Sequence, residues 1–449
     1  MFKKVLAGIL SVILLAVFPL FGFAEQVELT FTHWDVGIVR TVLLALARNF
    51  EKSHPNIKVK VLDIPYDRYD EKITAMVAAG NPPDLGYGRE PVVLEWAEKG
   101  VLLDLTPFIK KDPDPNVKLE NRIPFSWYLY DRGKKVAGSS VALEIMVLWY
   151  NKDMFDKAGL AYPSPNPDKP WTYKDLIEAA TKLTVDRNGK HPDEPGFDPT
   201  NIKTFGVSFS VWYASLLPFI RSNGGDFYNE AATEPLIDHP EAVEAIQFLA
   251  DLIYKYHVAP TPAQLASLPS LSIALQTQQV AMAIDGQWAL STLSKAAKGR
   301  FKLGVAPLPI FKKPVGVLTG GPIVMFSGGK HKEEAWEFYK WLMNPENVLP
   351  VMRDGLWMPV QKSWFTDPKL LKRWIDPTTH PPEYKQAVVD YLLKYGTEMT
   401  YYMTKNWPKI ETALNQGLSN VFLGHEDAKA ACTRIANEMK SLLIGRYDR

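Results

Sequence analysis

From Val27 onward the chain switches between two hydrophobic periods. Residues 27–31 (VELTF) and 57–64 (IKVKVLDI) alternate apolar and polar positions, as half-buried strands do. Between them Val42, Leu43, Leu46, Ala47 and Phe50 recur at helical spacing and predict a helix over about 39–52. Residues 66–80 repeat that spacing and stop at Gly80, and PPDLGYG follows as a strand-to-loop junction. Polar, proline-rich breaks occupy 111–118, 161–170 and 187–201. The run VAGSSVALEIMVLWYN (136–151) is mostly apolar, and a passage between lobes is placed near Ser140 to Leu143. Asp238, with Glu241 three residues on, is positioned to cap a helix reaching about Tyr256, whose apolar side carries Val243, Ile246, Leu249, Ala250 and Ile253. Two further strands are expected within 301–327, an amphipathic helix over 331–344, and mostly helix beyond Asp367. Strand and helix keep alternating, which is the pattern of an α/β fold.

Size adds a second lobe to that picture. The 449 residues exceed what one ordinary hydrophobic core organises. The 46% apolar and 22% charged content is that of a soluble globular protein. Lys and Arg total 51 against 50 Asp and Glu, so charge gives no reason to expect a nucleic-acid partner. The first 24 residues differ in kind: a basic MFKK, a continuous apolar run containing Pro19, then Gly22 and Ala24 at the −3 and −1 positions before Glu25. They read as a signal peptide cut after Ala24, the run being short for an uncleaved anchor. Cys432 is the single cysteine, so an intrachain disulfide is excluded. With no cysteine at the cleavage site, lipid attachment there is excluded too, and release into a periplasm or the medium is expected.

The chemistry narrows by absence first. GxxxxGK[ST], HExxH, paired CxxC and GxSxG are all missing, and neither a cofactor nor a metal is expected. The positive signal is aromatic: 13 Trp, 19 Tyr and 21 Phe. Several fall in loops after strands, beside carboxylates and glycines. These are Trp34–Asp35, Tyr87–Gly88–Arg89, Trp212–Tyr213, Trp288 after VAMAID, and Trp357. An indole can cover the weakly polar C–H face of a pyranose, while carboxylates, Arg and Gln serve its hydroxyls. Trp149, Trp336 and Trp341 sit in strand- or helix-like runs and are assigned to the core, with Tyr66, Tyr69 and Trp96 also taken as structural. Trp288 by itself fits core and ligand platform equally. Glu144 interrupts an apolar run, and either a buried ion pair or a ligand-facing acceptor accounts for it. Glu144 and Asp285 could also form a glycosidase pair.

Taken together, FTHWDVG, AAGNPPDLGYGRE, VALEIMVLWYNKDMFDKAGL, WTYKDLIEAATKL, VAMAIDGQWAL and LTGGPIVMFSGGKHKEEAWEFYKWLM resemble, in order and spacing, the family 1 extracellular solute-binding proteins of ABC importers, the maltose-binding-protein-like sugar binders. The resemblance spans essentially the whole chain after the leader. It implies a two-lobed periplasmic-binding-protein fold of the type II kind with a cleft between lobes. It divides the chain into a first lobe of 25–140 plus 303–345 and a second of 141–302 plus 346–449. The implied function is capture of an oligosaccharide and delivery to a membrane permease driven by a separate ATPase, without catalysis and as a monomer. The implied ligand residues are Trp34, Asp35, Tyr87, Arg89, Glu144, Trp212, Tyr213, Asp285 and Trp288, with Gly320 and Gly321 allowing close backbone approach and Trp357 as another platform. Gly88 stands where the maltose binder has a tryptophan, and Arg89 is basic, which argues against maltose itself. Arg89 leaves a uronate-containing sugar open. The alternatives are a binder of another small solute, such as a glycerophosphodiester, and a secreted carbohydrate-active enzyme.

Overall fold

The computed structural model describes residues 26–35, 37–399 and 403–449, so the leader expected at 1–24 lies outside the described residues. The strands are β1 Val27–His33, β2 Ile57–Asp63, β3 Leu85–Tyr87, β4 Trp127–Tyr130, β5 Lys135–Ser140, β6 Glu144–Asn151 and β7 Val185–Asp186. They continue as β8 Ile202–Phe209, β9 Val280–Gly286, β10 Leu303–Ala306, β11 Gly316–Thr319, β12 Pro322–Met325 and β13 Gly396–Thr397. Two sheets result. The first has the order β2-β1-β3-β12-β5-β4, and the second β13-β11-β6-β9-β8-β7 with β10 also paired to β6. Each is the heart of one lobe.

The sequence periods explain the elements. In the helix Gly37–Ser53, Leu43, Leu46, Ala47 and Phe50 are buried, as their spacing requires. In β6, Ile145 through Asn151 are buried without alternation, because helices cover both faces of the sheet. Trp149 and Trp336 are core residues, and half-buried Trp341 packs on Phe50 at 5.9 Å between ring centroids. Cys432 is buried in the helix Ala428–Met439. One local expectation is corrected. Asp238 caps nothing: the helix Pro240–Tyr254 starts at Pro240 with His239 as its N-cap, and His239 makes no capping bond. Pro240 supplies a preset φ at the first helical position, which fixes the start one residue late for Asp238.

The chain passes from the first sheet to the second through 141–143, between β5 and β6. The return is not before residue 303. Strand β10 pairs with β6 (Val305 opposite Trp149) and β11 pairs with β6 (Leu318 opposite Ile145), so both belong to the second lobe. The return crossing is Gly320–Gly321, because β12 pairs with β3 and β5. The last boundary also moves. The helix Pro345–Arg353 packs on the first-lobe helices Gly37–Ser53 and Lys332–Met343, and the chain rejoins the second lobe only beyond it.

The first two crossings touch backbone to backbone. The Gly320 carbonyl accepts hydrogen bonds from Tyr128 Oη (3.1 Å) and Ser140 Oγ (2.6 Å). Gly320 has φ +142, and a Cβ there would lie 2.3 Å from the Ala142 carbonyl oxygen. Gly320→Ala is therefore expected to cost roughly 2–4 kcal/mol of stability in a urea titration. Gly299→Ala, at φ +71 in open space, should cost about 1 kcal/mol.

Candidate functional site

The parallel strands β1 and β3 in one lobe, and β8 and β9 in the other, aim their carboxyl ends at the seam between the lobes. In α/β sheets that is where ligands collect. A cavity of about 380 Å³ lies there.

On the first-lobe side the loop after β1 is fixed by a buried histidine. His33 Nδ1 accepts the Asp35 backbone N–H at 3.1 Å, which leaves Nε2–H to donate to Asp63 at 2.6 Å. That arrangement sets the Trp34–Asp35 turn. Trp34 is then held edge-on by Tyr66, Tyr69 and Tyr87, with centroids at 5.3, 5.1 and 4.8 Å. Tyr69 is fully buried and bonds both the Thr32 hydroxyl and the Tyr87 carbonyl at 2.7 Å, tying β1 to β3. Gly321 brings bare backbone against Trp34, where even a Cβ would sit at 3.5 Å.

On the second-lobe side one glycine decides the geometry. A Cβ on Gly286 would lie 2.1 Å from the Trp288 ring, so the indole folds back over Gly286 because that residue has no side chain. Beneath, Trp149 Nε1 donates to the Gly286 carbonyl at 3.1 Å. Gln287, buried, donates through Nε2 to the Gly355 carbonyl at 3.0 Å and so couples the Trp288 turn to the loop carrying Leu356 and Trp357. Trp212 stands 6.4 Å from Trp288 at 68°. Glu144, at the start of β6, accepts a hydrogen bond from Thr319 Oγ1 at 3.3 Å.

Of the residues singled out from the sequence, all but Arg89, Asp285 and Gly320 line this cavity. Arg89 pairs with Asp70, and its guanidinium lies 4.6 Å from the Tyr66 ring centroid. Asp285 accepts its neighbour Gly286's N–H at 2.7 Å and serves the turn. Asp285 is opposite Val147, three residues along β6 from Glu144, so the two carboxyls point to opposite faces of the sheet and cannot flank one glycosidic bond. Gly88 sits where a Cβ would meet Val93 at 2.6 Å and Val324 at 2.9 Å, so no tryptophan could replace it without repacking. Sequence reasoning missed Tyr66, Glu90, Val141, Ala142, Thr319 and Leu356. Tyr66 follows β2 by the same strand-end rule that singled out Trp34 and could have been found by it.

The electrostatics are one-sided. Asp35, Glu90 and Glu144 line the cavity, and among the described residues no Lys, Arg or His does. Burial raises the Asp35 carboxyl, opposed by a Tyr87 hydrogen bond and by His33. Burial pushes Glu90 up to about 7. Burial, and then the charge of Glu90, push Glu144 up to about 8 against the Thr319 bond. Among the described residues no three His, Cys, Asp or Glu side chains are grouped to hold a metal ion, and no helix is long and apolar enough to cross a membrane. A wider and more open concavity of about 1330 Å³ lies on the outer flank of the second lobe, around the start of β8, where Lys182, Arg187, His191 and Gln279 line it.

Residues 40–349 match the family described as bacterial extracellular solute-binding protein. The maltotriose-binding protein of Pyrococcus abyssi is 23% identical over 420 residues, 90% of this chain and 80% of its own length. The sn-glycerol-3-phosphate-binding periplasmic protein of Escherichia coli is 24% identical over 96% of this chain and 95% of its own. Among solved structures, an ABC substrate-binding protein of Listeria monocytogenes in complex with cycloalternan superposes with a TM-score of 0.78 at 26% identity, covering 93% of this chain and 99% of that one.

The raised carboxyls give a pH signature. A carboxyl whose folded value exceeds its unfolded value near 4.5 binds protons preferentially in the folded state. The contribution of these carboxyls to stability therefore falls as pH rises from about 5 to 8. Glu144→Gln should flatten that decline and raise the melting temperature at pH 8 by on the order of a few degrees, read by thermal unfolding at pH 5 and pH 8.

Proposed function

The chain belongs to the bacterial extracellular solute-binding proteins, and on that footing we propose that its interlobe cavity captures an oligosaccharide lacking an anionic group outside the cytoplasmic membrane and presents it to the permease of an ABC importer, whose ATPase is a separate subunit. The observation that carries this reading is the lining itself: indoles of Trp34, Trp212, Trp288 and Trp357 from both lobes, with carboxyls between them. Indole faces cover the apolar faces of sugar rings, and carboxyls accept from hydroxyls. With a neutral ligand, the raised Glu90 and Glu144 can take up a proton and, with Thr319, supply donors where no Lys or Arg among the described residues lines the cavity. Trp34, Asp35, Tyr87, Glu144, Trp212, Tyr213, Trp288 and Trp357 are the residues we assign to the sugar, joined by Tyr66 and Glu90, while Gly321 offers backbone.

The Pyrococcus relative, named for maltotriose, and the Listeria structure, in complex with cycloalternan, support a glycan. The glycerol-phosphate-binding relative raises a phosphate-bearing solute. A phosphate or uronate needs a free cation, and Arg89 is already engaged by Asp70 and Tyr66 outside the cavity. The import role needs no bond chemistry, and the chain acts as a monomer that closes on its ligand.

Isothermal titration against a panel of soluble glycans and sn-glycerol 3-phosphate tests the reading. Heat with a glycan and none with the phosphate is expected; the reverse rejects it. Trp288→Ala should weaken the glycan at least tenfold, about 1.4 kcal/mol, with the fold checked by circular dichroism. Unchanged affinity would return Trp288 to a packing role.

A further inference from the structure

Among the described residues three carboxyls, and no side-chain cation, line the cavity. Asp35, Glu90 and Glu144 come from the loop after β1, the start of the helix Glu90–Glu98 and the start of β6, so they face the space from three directions. Two more carboxyls, Asp70 and Glu411, stand close enough behind to raise Glu90 further. Against them is Arg89, whose guanidinium is held by Asp70 over the Tyr66 ring and does not line the cavity. Asp35 has Tyr87 as a partner and Glu144 has Thr319, whereas Glu90 is offset, among the described residues, by its own backbone N–H and by the charge of Arg89. A carboxyl enclosed in this way gains most from a positive group delivered with the ligand.

The walls favour the same kind of ligand. Trp34, Tyr66, Trp212, Trp288 and Trp357 present ring systems to the space, and ring faces attract cations. The carboxyls are not grouped closely enough for a shared metal ion, so the positive charge that fits is an organic one spread within a larger molecule.

Resting on the oligosaccharide reading, we propose that the ligand is a sugar bearing a basic nitrogen, an amino- or imino-substituted glycan, whose ammonium group is seated among Asp35, Glu90 and Glu144 within the aromatic walls. The nitrogen pairs with Glu90, and the adjoining rings rest on the indoles.

Matched pairs separate this from sugar binding in general. Acarbose, which carries a secondary amine, is titrated at pH 7 against maltotetraose, and the β-1,4-linked glucosamine dimer against cellobiose. The amine member of at least one pair should bind tenfold or more tightly than its hydroxyl partner. Glu90→Gln should cut that preference at least threefold, with Glu144→Gln as a second variant if the first fails to fold. Equal or tighter binding of the hydroxyl member wherever a pair binds overturns the inference and leaves the oligosaccharide reading standing. A preference that survives in whichever variant folds overturns the assignment to these carboxyls. No heat from any sugar, amine or neutral, across pairs and panel overturns both.

Discussion

Backbone packs on backbone where 141–143 passes Gly320–Gly321, and the cavity exists because of that contact. A side chain at 320 would collide with the Ala142 carbonyl, and the Gly320 carbonyl in turn collects two hydroxyl donors from the first lobe. The joint holds the ends of two sheets face to face at close range. Every loop that leaves those strand ends is then delivered to the same space: 34–35 after β1, 212–213 after β8, 287–288 after β9. Glu144 and Thr319 flank the joint directly, at the first residue of β6 and the last of β11. Two short crossings side by side also leave few torsions to move, which is the geometry a hinge needs.

Much of this was legible because it is local. An aromatic just after a strand marks a strand end that can face a cleft; that signal singles out Trp34–Asp35 and Trp212, whereas Trp288 by itself fits core and platform equally and is assigned to the ligand by resemblance. The helix faces followed from spacing alone. What escaped was set by pairing across the chain. Residues 303–306 read as a strand in any context, but only their partnership with Leu148–Asn151 places them in the second lobe. Arg89 lies two residues from Tyr87, yet Asp70, nineteen positions earlier, captures its guanidinium. Asp285 and Glu144 are both carboxyls near strand ends, and the register between β6 and β9 sends them to opposite faces. Gly286 shows the reverse case, a local motif whose reason is steric and visible only once the Trp288 ring is seen folded over it.

The electrostatic character of the site follows from the same closeness. Carboxyls that would each be ordinary at a surface are raised because the walls exclude water and because they face one another. In the protonated form they donate to ligand hydroxyls, whereas a ligand ammonium would hold them ionised and supply the positive charge that burial denies them. Buried Trp149 and Gln287 keep the platform rigid from beneath, so little ordering is left to be paid at binding.

A crystal structure of the protein with a bound oligosaccharide tests the central claim most directly. The sugar should lie between the lobes, with ring faces against Trp34 and Trp288 or Trp357 and a hydroxyl or ammonium group within hydrogen-bond distance of Glu144 or Glu90. A sugar bound instead in the open concavity beside the start of β8, with the interlobe cavity empty of it, would contradict the account.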